Sequence, residues 1–163
     1  MIGLIITGGT LDKDYDAVSG ELVFPGTCVP DMLQQGRVSH PVQLQVILQK
    51  DSLELTDMDR QRIADACAKH PARQLVITHG TDTMVETARV LAQDVRLHDK
   101  TLVLTGAMRP FRLGKSDALF NLGAALMAVQ LATPGVWISM QGELFPWHGV
   151  RKDRTAGRFV AAS

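Results

Sequence analysis

Four short apolar runs, Ile2–Ile6, Leu75–Thr78, Thr101–Thr105 and Val136–Met140, carry almost no polar interruption and are bounded by turn residues. Strands with one wet face alternate apolar and polar positions, whereas strands buried on both faces do not. These runs therefore predict the centre of a parallel sheet covered by helices on both sides. A fifth run, Val42–Gln49, does alternate: Val42, Leu44, Val46 and Leu48 share one side and mainly glutamines the other, which predicts a half-exposed strand.

Helical patterns fill the intervals. Thr56 is placed to cap a helix over Asp57–Lys69, with Asp59 at the third position and Ile63, Ala66 and Cys67 as the apolar stripe. Met84, Ala88, Leu91 and Val95 mark a second helix after Thr83. A third, from Ser116 or Asp117 to about Leu131 with Asp117 as its N-cap, is apolar on most faces, which predicts burial or an oligomer contact. Strand and helix alternate, so the fold class is α/β, a three-layer sandwich with a mainly parallel sheet and right-handed crossovers. Residues 11–41 break this rhythm. Tyr15 to Phe24, centred on Ser19-Gly20, predicts a β-hairpin placed as a lid just behind Thr10, and the tail beyond Met140 shows little periodicity.

The chain of 163 residues is long enough for one domain with a full core and short for two, so residues 1–163 read as a single domain. Seventeen basic and seventeen acidic side chains cancel, which points away from nucleic acid and anionic membranes and toward a small-molecule substrate. Cys28 and Cys67 suit a reducing compartment as buried apolar residues. No run approaches the ~18 apolar residues of a membrane span, and the opening lacks the basic start of a signal peptide, so the cytoplasm is expected.

The loops behind the strands carry the functional signal. Thr7-Gly8-Gly9-Thr10, His79-Gly80-Thr81-Asp82-Thr83-Met84 and Thr105-Gly106-Ala107-Met108-Arg109-Pro110 each trail an apolar run. In a parallel sheet, ligands bind outside the carboxyl ends of the strands, so these loops are expected to line one crevice. Clustered hydroxyls, a carboxylate and an amine there suggest nucleophilic catalysis by a threonine, which needs a base and an oxyanion site. Thr10, Thr81, Asp82, Tyr15 and Lys152 supply the parts, Lys152 either relaying a proton or ordering the site. Neither phosphate-loop pattern, G-x-x-x-x-G-K-[ST] or G-x-G-x-x-G, is present. The five histidines lack metal-ligand spacing, so no metal is expected, and His79 and Arg109 read as structural.

Taken in order, T-G-G-T, H-G-T-D-T-M and G-A-M-R-P resemble the amino-terminal domain of the bacterial-type L-asparaginases. Asp51-Ser52 with Leu55-Thr56 is similar to that family's D-S-x-D-M-T segment, Asp117 with Phe120-Asn121-Leu122 to its S-A-D-G-x-x-N-L, and Val150-Arg151-Lys152 to its V-T-K. The resemblance implies the fold of that domain and hydrolysis of L-asparagine to L-aspartate and ammonia without a cofactor. It implies Thr10 as nucleophile, Thr81, Asp82 and Lys152 as a second threonine-centred triad, and Tyr15 as the lid tyrosine. Ser52 would hold the substrate α-carboxylate, Asp82 its α-amino group, and the backbone of Ala107 and Gly9 the amide. The family's carboxyl-terminal domain has no counterpart in these residues, and Leu53, Glu54 and Ala118 depart from the family pattern. Two other readings stand beside this one: a catalytically silent amino-acid or peptide-binding module, and an amidohydrolase for a different amide. A shallow single-domain site also implies a homo-oligomer, most simply a dimer, with the helix after Asp117 or the glutamine-rich strand at the contact.

Overall fold

The computed structural model describes residues Met1–Ser163. β1 (Ile2–Gly8) opens the chain, followed by the hairpin β2 (Asp14–Asp16) and β3 (Glu21–Val23), then α1 (Val29–Gln35) and β4 (Val42–Lys50). α2 (Asp57–Lys69), β5 (Gln74–Thr78), α3 (Met84–Gln93), β6 (Thr101–Thr105), α4 (Ala118–Leu131) and β7 (Gly135–Met140) complete the alternation. β8 (Glu143–Pro146), β9 (Val150–Asp153) and β10 (Arg158–Ala161) form the tail. The main sheet has the order β4-β1-β5-β6-β7-β8, parallel except for β8. No helix is long and apolar enough to cross a membrane.

The three predicted layers are present. Ile2, Leu4, Ile6, Val76 and Val103 pack with Val29 and Met32 of α1 and with Leu122, Ala125 and Val129 of α4. On the opposite face Ile5, Leu75, Ile77, Leu102, Leu104 and Ile138 pack with Ile63 and Cys67 of α2 and with Met84, Ala88 and Leu91 of α3. Side chains alternate across each strand, so one apolar run supplies both cores. α2 begins where its signal placed it: Asp59 N donates to Thr56 Oγ1 at 3.2 Å and Thr56 N donates to Asp59 Oδ2 at 3.0 Å, a reciprocal capping box.

Strand order also reveals an exception in handedness. The steps from β5 to β6 and from β6 to β7 run in the same direction across the sheet, yet α3 and α4 lie on opposite faces. The two crossovers therefore have opposite hands. The connections through α1, α2 and α3 share one hand, so the uniform right-handedness expected from sequence fails at β6-α4-β7. A long loop, residues 106–117, makes this possible by carrying the chain over the carboxyl ends of the strands. Asp117 fastens that loop: its carboxylate accepts from Met108 N at 2.9 Å and Arg109 N at 3.1 Å, so it does not cap α4 through its side chain.

Two further expectations are corrected. Leu44 and Val46 of β4 are exposed, because β4 is the sheet edge and no helix covers its middle. Val95 is exposed too, since α3 stops at Gln93 and the Asp94 carboxylate caps the next turn at Arg96 N, 3.0 Å away. The apolar surface of α4 is divided: Leu122 and Val129 are buried, while Phe120, Met127 and Leu131 are 63%, 57% and 79% exposed.

Candidate active site

The chain leaves β1 for β4 on one side and returns to β5 on the other, so the strand order reverses between β1 and β5. That reversal opens a crevice at the carboxyl ends of these two strands, where the Thr10 and Thr81 loops lie. The loops touch through their backbones. Gly9 has φ 81° and a Cβ there would strike the backbone of Gly80, while a Cβ on Gly80 would lie 2.6 Å from Ser52 Cβ. Only glycine allows these approaches. The Thr83 hydroxyl donates to Ser52 O at 2.8 Å, and His79 N donates to Thr105 O at 2.9 Å, tying the remaining loops to the central one.

Thr10 opens a 3-10 turn in which Asp12 N donates to Gly9 O and Lys13 N to Thr10 O, both at 3.1 Å. Its hydroxyl has no hydrogen-bond partner within the chain and is left half-buried at the crevice. On the facing loop Thr81 is buried, and Lys152 Nζ reaches across from β9 to lie 2.7 Å from Thr81 Oγ1 and 2.8 Å from Asp82 Oδ1. The three residues chosen from sequence as a triad are thus one hydrogen-bonded unit. Phe159, fully buried opposite Lys152 in the β9–β10 hairpin, fixes where that lysine enters.

Ser52 is buried beside Gly80, and its hydroxyl makes no hydrogen bond within the chain. Ala107 is buried in the loop after β6, whose backbone is held by Asn121 Nδ2 donating to Gly106 O at 2.9 Å. Tyr15 lies on β2 of the observed hairpin, 56% exposed, and no hydrogen bond links its hydroxyl to Thr10. His79 is structural as expected. Its Nδ1 pairs with Gly80 O and its Nε2 with Thr87 Oγ1, each at 2.7 Å, and complete burial lowers its pKa to about 4. It is neutral at pH 7. Arg109 likewise serves its loop, donating to Gly114 O at 2.7 Å and Leu113 O at 3.3 Å. Burial and the Asp12 carboxylate push the Cys28 thiol up to about 12, and burial does the same at Cys67, so neither is a nucleophile.

Three supporting residues escaped the sequence reading. Asp12 is fully buried and its carboxylate accepts from Cys28 N at 2.9 Å and Thr27 Oγ1 at 3.1 Å, anchoring the base of the β2–β3 hairpin. Lys13 Nζ lies 2.6 Å from Asp51 Oδ2, clamping the Thr10 turn to the Ser52 turn; the Lys13 ammonium holds the Asp51 carboxyl below its usual range. Arg112 crosses from the long loop to donate to Asp12 O at 2.8 Å and Gly26 O at 3.0 Å. Asp12 and Lys13 had one signal, charges directly behind the T-G-G-T turn; Arg112 had none. Five surface clefts, including one of about 490 Å³ beside Met108, Asp117 and Gln141, are lined by none of Thr10, Thr81, Asp82 and Lys152.

Residues 1–160 match the family model described as asparaginase, N-terminal. The chain is 33% identical over 130 residues to a glutamyl-tRNA(Gln) amidotransferase subunit of Pyrobaculum aerophilum, covering 77% of this chain and 31% of that protein. It is 38% identical over 115 residues to the 60 kDa lysophospholipase of Mus musculus, covering 69% and 20% respectively. Among solved structures, the probable cytoplasmic L-asparaginase from Campylobacter jejuni superposes with a TM-score of 0.84 at 29% identity, covering 98% of this chain and 52% of that one. The chain thus spans about half of that asparaginase and a third or less of the two curated relatives.

Proposed function

The chain belongs to the asparaginase family, matching its amino-terminal domain, and from this we propose that it is an amidohydrolase that converts L-asparagine to L-aspartate and ammonia. Thr10 Oγ attacks the side-chain amide carbon, and the carbonyl electrons move onto oxygen. Ammonia leaves with the transferred proton, giving an aspartyl ester of Thr10. Water then attacks that ester, releases aspartate and restores the threonine hydroxyl. Backbone N–H groups around Gly9 and Ala107 receive the oxyanion, where fixed donors act most strongly because they need no reorganisation. Ser52 takes the substrate α-carboxylate and Asp82 its α-amino group, while Tyr15 reaches the nucleophile when the hairpin closes.

One observation carries the reading: Lys152 Nζ lies within 2.8 Å of both Thr81 and Asp82, residues some 70 positions away in sequence. A solvated lysine on a basic tail would have no reason to be held there. In this mechanism the linked hydroxyl, amine and carboxylate carry the proton that the nucleophile must lose. All of these groups lie within residues 1–163, with no cofactor required.

The exposed apolar side chains of α4 and the bare edge of β4 support a homodimer. We place this enzyme in the cytoplasm, in keeping with its two free buried cysteines. A second reading, hydrolysis of a different or larger amide, is favoured by relatives named for an amidotransferase and a lysophospholipase. Ammonia release measured on asparagine beside glutamine tests the primary reading. Turnover of asparagine is expected, and activity on neither amide would remove it.

A further inference from the structure

The hairpin that carries Lys152 stands apart from the main sheet, and β10 has no strand on its outer side. Ala162 N donates to Gly149 O at 2.9 Å, and residues along an antiparallel strand turn their N–H and C=O alternately toward and away from the neighbouring strand. Phe159, directly opposite Lys152 and three residues before Ala162, therefore points both backbone groups away from β9. It is buried, so water does not satisfy them. One side chain does. Gln141 Oε1 accepts from Phe159 N at 3.0 Å and its Nε2 donates to Phe159 O, so a single amide stands in for the missing third strand at the residue that faces Lys152.

Gln141 holds a place whose backbone favours a different residue. Met140 pairs with Glu143, which leaves Gln141 and Gly142 as a two-residue turn with φ 49° and 83°. Turns with two left-handed residues favour asparagine at the first place and glycine at the second. Asparagine is one methylene shorter, and the extra reach of glutamine is what brings its amide to Phe159. The turn is also held from the sheet: Gln141 N donates to Asn121 Oδ1 at 3.0 Å, and Asn121 Nδ2 donates to Gly106 O at 2.9 Å, where the loop carrying Ala107 begins. A chain of hydrogen bonds thus runs from that loop through Asn121 and Gln141 to Phe159, the residue paired with Lys152.

We propose that Gln141 is a positioning residue for Lys152: its amide fixes the tail hairpin against the end of β7, and so fixes where Nζ lies between Thr81 and Asp82. The effect on turnover rests on the amidohydrolase reading, while the placement of the lysine does not. Gln141→Asn suits the turn and is too short to span to Phe159, so it should fold while releasing the hairpin; Gln141→Gly takes its place if it does not.

Trace acetylation of the lysines, read by mass spectrometry, reports placement without catalysis. The Lys152 and Lys13 side chains are both mostly buried and paired, and Lys100 is buried at the amino end of β6, so the last two serve as internal references. Gln141→Asn should raise acetylation of Lys152 about tenfold and leave Lys13 and Lys100 within about twofold, since only the hairpin opens. Turnover of asparagine should fall about ten- to hundredfold, the size of effect that a small misplacement of a group produces. In a Lys152→Met background the same substitution should cost less than about twofold. A residue that only supports the fold would lower turnover by one factor in both backgrounds, or raise acetylation of all three lysines together. Either of those results, Lys152 acetylation within about twofold of the parent, or failure of both variants to fold would overturn the proposal. If the parent chain hydrolyses no amide, the hydrolase reading falls and the acetylation ratios alone decide whether Gln141 places Lys152.

Discussion

Coupling between Lys152 and Asp82 is the most quantitative consequence of the triad. The Lys152 side chain is 12% exposed and that of Asp82 33%, with 2.8 Å between Nζ and Oδ1. A hydrogen bond to a charged group contributes about 1.5–3 kcal/mol when water is excluded, whereas a fully exposed ion pair contributes about 0–1 kcal/mol. Asp82 sits between these limits, and Arg154 at 3.8 Å partly replaces a lost lysine charge. The expected coupling energy is therefore about 1–2 kcal/mol. Lys152→Met, Asp82→Asn and the double variant, each unfolded in urea, give that energy as the departure from additivity. At this chain length each kcal/mol moves the midpoint of thermal unfolding by about 2–4 °C, so the single variants should melt visibly early. In turnover each single variant should lose about 10²–10⁴-fold, and the double variant little more than the worse single, because the groups act as a unit. A coupling energy under about 0.5 kcal/mol, with the losses in turnover simply multiplying, would place Lys152 outside the site.

His79 is held neutral by burial with a pKa near 4 against an ordinary 6.5, so the unfolded chain binds a proton that the folded chain refuses between those values. Stability should then fall by about 3 kcal/mol as pH drops from about 6.5 to 4, and His79→Gln should flatten that slope in urea titrations at each pH. Removing the capping box with Thr56→Ala should cost about 1 kcal/mol in urea unfolding and leave turnover unchanged, since neither Thr56 nor Asp59 hydrogen-bonds a residue assigned to the site. With Asp82 the one side chain assigned to the α-amino end, and already paired with Lys152, the KM for asparagine should lie at or above about 1 mM in a steady-state ammonia assay, and a micromolar value would mean that further groups grip that end. Sedimentation at micromolar concentration should show a dimer, and Phe120→Glu with Met127→Glu should shift it to monomer; a wild-type monomer refutes the contact.

What the sequence discloses is local and periodic. The four apolar runs became strands because an unbroken run between turn residues suits burial on both faces, and α2 starts at Thr56 because its cap satisfies backbone N–H groups without tertiary help. Leu44 and Val46 misled because alternation shows that two faces differ, not that a helix covers either. The hand of the β6-α4-β7 crossover is invisible in periodicity, since it depends on which face a twelve-residue loop delivers the chain to. The tail hairpin was illegible because strands of four residues, Val150–Asp153 and Arg158–Ala161, are too short for a pattern, and their order comes from Phe159 and the Gln141 side chain. In the site, Thr10, Thr81 and Asp82 were legible as loop residues behind strands. Lys13, Arg112 and Arg154 were not, because their partners are backbone oxygens or carboxylates far away along the chain.

The most direct test is ammonia release from asparagine by the purified chain and by Thr10→Ala, each cleared of host amidase. Thr10 carries the attacking oxygen in this account, and its hydroxyl holds no structural hydrogen bond, so the variant should fold normally and lose at least about 10³-fold in kcat. Turnover by Thr10→Ala close to that of the parent would contradict the threonine-nucleophile mechanism.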